Sequence, residues 1–119
     1  MKYMLLIYQG DAPTPRSPEA WNRLSQDEQK AVYADYKALG DTPGVTPGVQ
    51  MDEPATATTV RVEDGETVIT DGPFVSTKEA LGGYLFFEAD DLHAAIELAS
   101  RIPAARMGGA VEVCPIVER

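Results

Sequence analysis

One cysteine, one histidine, one tryptophan and ten basic residues are all that this 119-residue chain offers to the commonest kinds of site chemistry. A lone cysteine forbids an internal disulfide, and the composition suits a reducing compartment. His93 and Cys114 stand in no His-x-Glu or Cys-x-x-Cys spacing, so no metal and no other cofactor is expected. His93 reads as an exposed helical residue and Cys114 as a packing thiol. A Ser-His-Asp set would have to use His93, and the chain has no Gly-x-Ser-x-Gly elbow. Gly108-Gly109 forms neither a dinucleotide fingerprint nor a phosphate loop. Nineteen acidic residues against the ten basic ones leave a net charge of −9, which argues against nucleic acid and against an anionic membrane surface. The apolar run Tyr3–Tyr8 is too short for a secretory signal or a membrane span. The expectation is a soluble, cytoplasmic protein.

What the chain does contain is enough for one core. The hydrophobic fraction is 44%, which fits a single domain spanning 1–119. Lys2–Tyr8 has the length and content of a buried strand, with Tyr3, Leu5 and Ile7 on one face and Met4, Leu6 and Tyr8 on the other. Ser17-Pro18 reads as an N-cap and first helical position. Ser25 and Glu28 have capping-box spacing, and a helix is predicted over 26–39 with Val32, Tyr33, Tyr36 and Leu39 on one face. Trp21 is expected to pack across its entry. The stretch 40–54, with its pairs Pro43-Gly44 and Pro47-Gly48, reads as a long surface loop.

Thr58–Glu63 alternates, Asp64-Gly65 is a hairpin signal, and Thr67–Thr70 returns as a second strand. Leu81–Glu88 is apolar on both faces. Asp90 or Asp91 caps a helix over 92–102, with Leu92, Ala95, Ile96 and Ala99 as its buried stripe, and Pro103 ends it. Residues 104–109 read as a loop and 110–117 as the last strand. The order β-α-β-β-β-α-β predicts an α+β, ferredoxin-like antiparallel sheet with one additional central strand and two helices on one face. The other face of such a sheet must be wet, covered or used as a cleft. Lys2–Tyr8 and Leu81–Glu88 are too apolar for a wet face, so a partner copy is expected to cover it.

The charged, rigid and flexible residues meet in 71–83, Asp-Gly-Pro-Phe-Val-Ser-Thr-Lys-Glu-Ala-Leu-Gly-Gly. Ser76 and Glu79 have the spacing of one capped helical turn. Gly82-Gly83 inside a strand predicts a bulge or a close backbone approach. Asp71-Gly72-Pro73-Phe74 is followed by Thr-Lys-Glu-Ala-Leu-Gly-Gly-Tyr, then Glu-Ala-Asp-Asp-Leu and Ile-Pro-Ala-Ala-Arg. This run resembles the DGPF branch of the YCII-related proteins, most strongly over 57–118. The resemblance implies a homodimer of the dimeric α/β-barrel kind. It carries no known reaction with it. The resemblance to relatives of the YciI type implies an active-site His–Asp pair whose histidine lies near the first helix, whereas 17–39 holds no histidine here, so that pair does not transfer.

The candidate ligand-binding set is Tyr8, Asp71, Phe74, Lys78 and Glu79. Asp71 is the candidate acid–base group, because a carboxylate partly buried by Phe74 would have a raised pKa. Its alternative role is to hold the turn through its own hydrogen bond. Two functions fit these residues. One is a homodimer that binds a small, largely apolar ligand, with metal-free acid–base catalysis open to it. The other is a non-enzymatic dimeric regulatory or scaffold module, a setting implied by the frequent proximity of DGPF-branch genes to extracytoplasmic-function sigma factor genes.

Overall fold

Strand β1 (Lys2–Tyr8) runs through the middle of a four-stranded antiparallel sheet in a computed structural model that describes residues 1–15, 18–76 and 79–118. Helices α1 (Pro18–Asn22) and α2 (Gln26–Gly40) follow it. Next come β2 (Val45–Gln50), a short 3-10 turn (Pro54–Thr56), β3 (Thr58–Glu63), β4 (Glu66–Asp71) and β5 (Leu81–Glu88). The chain closes with α3 (Leu92–Ser100), α4 (Pro103–Arg106) and β6 (Ala110–Pro115). The sheet order is β2-β5-β1-β6, the strand arrangement of a ferredoxin-like unit.

Alternation decides which side chains enter the core. Tyr3, Leu5 and Ile7 of β1 and Leu85 and Phe87 of β5 face the helices and are buried. They pack with Leu39 of α2 and with Ala95, Leu98, Ala99 and Ile102. Met4, Leu6, Tyr8 and Tyr84 point to the other face and are half-buried, while Phe86 there is exposed. The expectation that both strands are apolar on both faces therefore holds, with only one face covered by helices.

Helix α2 starts as its sequence predicts. The Ser25 hydroxyl accepts from the Glu28 N–H at 3.1 Å, and the Glu28 carboxylate accepts from the Ser25 N–H at 2.9 Å. The Ser25 N–H first, and the Ser25 hydroxyl second, hold the Glu28 carboxyl below its ordinary range. Trp21 is buried and meets Tyr33 edge to face at 5.5 Å. Pro18 opens α1 as expected; its predicted cap, Ser17, lies outside the described residues.

Four expectations need correction. The predicted loop 40–54 contains β2, which pairs with β5 as the sheet's edge. Pro47 lacks an N–H and is tolerated there because an edge strand leaves one side unpaired. Second, among the described residues no extra strand joins the centre of the sheet. The β3–β4 pair forms a separate two-stranded sheet, turning at Asp64 (φ 52°) and Gly65 (φ 79°). It packs closely on no other strand or helix among the described residues. The radius of gyration is 16.1 Å, against roughly 13.5 Å for a compact domain of this length. Third, the buried stripe of α3 is Ala95, Leu98 and Ala99, with Leu92 and Ile96 each 50% exposed. Ala95 and Ala99 are buried as expected, and Leu98 joins the core cluster that holds Leu5 and Ile102. Fourth, the stretch read as a loop after Pro103 forms α4, and α3 stops at Ser100.

Candidate functional site

A cavity of about 360 Å³ lies on the helix side of the sheet, between α2 and the β5–β2 edge. That volume is within the range of small-molecule pockets. The face of α2 predicted from helical spacing, Val32, Tyr33, Tyr36 and Leu39, forms one wall. Trp21 of α1 and the turn 12–15 form the rim. Ile7, Gly83 and Leu85 make the floor, and Val45, Pro47 and Val49 of β2 the far side. Ala104 and Met107 close the remaining end.

The floor exists because of two glycines. Ile7 pairs with Gly83 and Tyr8 with Leu81, so Gly82 is the extra residue of a bulge in β5. A Cβ on Gly83 would stand 3.0 Å from the Val49 carbonyl oxygen, so glycine lets β2 lie a few tenths of an ångström closer than a side chain would allow. Both readings of Gly82-Gly83 from sequence are met. The Met51 N–H then donates to the Gly82 carbonyl at 2.8 Å and pins the end of β2.

No described lining residue is Asp, Glu, Lys, Arg or His. The polar groups are Gln9, Thr14, Gln50 and the tyrosine hydroxyls. Tyr36 is the informative one. Burial pushes its phenol above the ordinary value, against the opposing effects of the nearby Gln9 side chain, the Ala104 backbone and the Arg106 charge. Its hydroxyl is therefore protonated at neutral pH. Arg106 also pairs with Asp35, which ties α4 to α2 beside this tyrosine.

The residues singled out from sequence lie elsewhere. Tyr8 sits on the opposite sheet face, where desolvation first and then the Glu112 carboxylate raise its phenol pKa. On that face the Cys114 thiol lies 3.9 Å from Glu112. Asp71 is the exposed last residue of β4, opposite Thr58. Gly72 after it (φ 96°) donates its N–H to Ala57 at 2.7 Å, and its carbonyl accepts from the Thr59 hydroxyl at 2.7 Å. Backbone and Thr59 thus hold this turn, and the Asp71 carboxylate makes no hydrogen bond among the described residues. Phe74 is 77% exposed, so it does not bury a neighbouring carboxylate. Glu79 is exposed and its N–H donates to the Ser76 carbonyl at 2.9 Å; the predicted capped turn runs through Thr77 and Lys78, outside the described residues. Lys78 lies outside the described residues. None of Tyr8, Asp71, Phe74 and Glu79 lines the cavity.

His93 is exposed on α3. Among the described residues no group of three or more His, Cys, Asp or Glu is placed to hold a metal ion. Among the same residues no helix is long and apolar enough to cross a membrane. The cavity-forming residues carried a sequence signal of their own: two tyrosines within an apolar helical stripe, a long Pro-Gly stretch, and paired glycines inside a strand.

The model of the YCII-related domain matches residues 1–119. An uncharacterized protein of Rhizobium meliloti (strain 1021) is 30% identical over 121 residues, covering 98% of this chain and 92% of that protein. On both grounds, this chain belongs to the YCII-related family.

Proposed function

We propose that this protein binds a small, largely apolar molecule in the cavity between α2 and the sheet. The observation that carries the reading is the cavity itself: about 360 Å³ bounded by Trp21, Val32, Tyr33, Tyr36 and Leu39, opening beside an irregular edge strand. A concave, mostly apolar cleft of this size with a few polar groups is the ordinary form of a small-molecule site. The lining supports binding rather than carboxylate chemistry, since its dissociable groups are phenols. The test is titration with a neutral apolar fluorophore, N-phenyl-1-naphthylamine. Saturable binding at one site per chain is expected, and Val32→Phe, which fills the cavity, should weaken it at least tenfold. Absence of saturable binding in the parent protein would sink the reading.

The binding unit in this proposal is a homodimer in which the open sheet faces cover one another. Met4, Leu6, Tyr8, Tyr84 and Phe86 support it, because they form an apolar row that no helix shields. A stable interface buries about 800 Å² per partner, and one face of a four-stranded sheet can supply that area. Light scattering at micromolar concentration should give twice the chain mass, and Phe86→Lys should shift the equilibrium to monomer. A monomeric parent protein would refute the dimer and leave the cavity reading standing.

The second reading, a non-enzymatic regulatory or scaffold module, draws on the β3–β4 hairpin. Val60, Val62 and Ile69 are 60%, 67% and 66% exposed on one of its faces. Contiguous exposed apolar side chains suit a protein partner, and a link to an extracytoplasmic-function sigma factor belongs to this reading. Co-purification of such a factor, lost in Val62→Lys, would favour it over the ligand.

A further inference from the structure

The far side of the cavity is an irregular seam between two strands. Val45, Thr46 and Pro47 of β2 stand opposite Phe87, Phe86 and Leu85, and the register resumes only at Gln50 opposite Gly83. Gly48 and Val49 therefore face the single residue Tyr84, which makes a bulge in β2. Gly48, Val49, Gly83 and Tyr84 all line the cavity. The strand is anchored on either side of the bulge. The Glu88 N–H donates to the Gly44 carbonyl at 2.9 Å, and the Met51 N–H to the Gly82 carbonyl at 2.8 Å.

The two glycines of this seam act on the cavity in opposite senses. A Cβ on Gly48 would stand 2.0 Å from the Tyr84 carbonyl oxygen and 2.7 Å from its carbon, closer than real side chains come to backbone. Tyr84 is paired on its other side with Leu6 of β1, whereas β2 is the sheet's edge, so β2 is the strand that must yield. Yielding carries Val49, and with it the far wall, away from the floor. Gly83 instead shares its face with Ile7 and Leu85, on the floor itself. A methyl there would project into the cavity and occupy room, with the Val49 carbonyl oxygen 3.0 Å away. Bare backbone at 48 keeps the wall close, and bare backbone at 83 keeps the floor deep.

We propose that Gly48 and Gly83 set the size limit of the cavity, so that it sorts apolar molecules by bulk. This rests on the reading of the cavity as a binding site. The experiment measures straight-chain 1-alkanols, from pentanol to dodecanol, by displacement of N-phenyl-1-naphthylamine. In the parent protein, affinity should rise about fourfold with each methylene buried until the cavity is full, and then level off. Gly83→Ala should bring that plateau about one carbon earlier, because its methyl fills the room of one. Gly48→Ala should move the plateau to longer chains. In that variant the first alcohol past the parent's plateau should bind about fourfold tighter than the one before it.

Thermal melts report whether each variant is folded. A folded Gly48→Ala with an unchanged or earlier plateau would overturn the inference. So would a Gly83→Ala plateau at the parent's chain length, or a parent affinity that climbs through dodecanol without levelling. Should Gly48→Ala not fold, Gly83→Ala decides alone. In each of these outcomes the parent protein still binds the fluorophore; if it does not, the cavity reading itself fails.

Discussion

The cavity wall and the β3–β4 hairpin are made of similar residues and meet opposite environments. Val32 and Leu39 on α2 are 7% and 3% exposed, whereas Val60 and Ile69, paired across the hairpin, are 60% and 66% exposed. The helix residues are enclosed because the sheet and the turn 12–15 close around them. The hairpin residues pair with each other, and among the described residues the hairpin packs closely on no other strand or helix. An isolated two-stranded hairpin is marginal in water at best, so the hairpin depends on its turn and on the bonds at its base, while the cavity depends on the packed body. Apolar character by itself therefore does not rank a residue's worth in this molecule; the number of layers around it does.

That contrast can be broken most directly by truncating each region. Leu5 is fully buried in the body. Leu5→Ala should cost about 2–5 kcal/mol, through lost burial and the cavity left behind, measured by urea unfolding. Ile69→Ala should cost under about 0.5 kcal/mol, as for surface sites. A loss at Ile69 that grows with protein concentration would instead show that a second chain covers the hairpin.

The base of the hairpin sharpens the contrast. The Thr59 hydroxyl donates to the Gly72 carbonyl, so Thr59→Val keeps the shape and removes one bond. A cost of about 0.5–1.5 kcal/mol is expected from thermal melts. Asp71→Asn and Asp71→Ala should both stay within about 0.5 kcal/mol, because backbone groups and Thr59 close that turn. A large loss in Asp71→Asn alone would point to a charged partner for this carboxylate.

The smallest effect concerns the start of α2. The fold holds the Glu28 carboxyl below its ordinary value of 4.5, so it favours the ionised form. The resulting stability is present at neutral pH and is lost as pH falls through the lowered folded value. The melting-temperature gap between the parent protein and Glu28→Gln should therefore be widest near neutrality and close in acid. A gap that stays constant with pH would show that the carboxylate charge contributes nothing to the cap.

Local chemistry was legible wherever a few neighbouring residues decide the outcome. The capping box at Ser25 and Glu28, the Asp64-Gly65 turn, the bulge at Gly82 and the motif run 71–84 were all readable from short-range spacing. Strand β2 was not, because its Pro47-Gly48 pair has low strand propensity and its pairing is imposed by β5, more than 30 positions away. The α3 stripe was half legible: Ala95 and Ala99 are buried as predicted, whereas Leu98 takes the core place expected for Leu92 and Ile96, which are as apolar and stay half exposed.

The candidate site divides in the same way. From the sequence alone, Val32, Tyr33, Tyr36 and Leu39 share a face; the structure buries Val32 and Leu39 and leaves Tyr33 58% exposed. A helical stripe looks identical whether the space beyond it is filled or empty. Whether it is empty depends on how closely β2 approaches Gly83, on the bulge at Gly82, and on where α4 places Ala104. The same holds for the residues around Asp71: their spacing specifies a turn and its ends, but not which way the turn points. Short-range sterics and hydrogen bonding act along the chain, so sequence determines them. Enclosure is a property of surfaces brought together from distant segments, so only the tertiary structure could decide it.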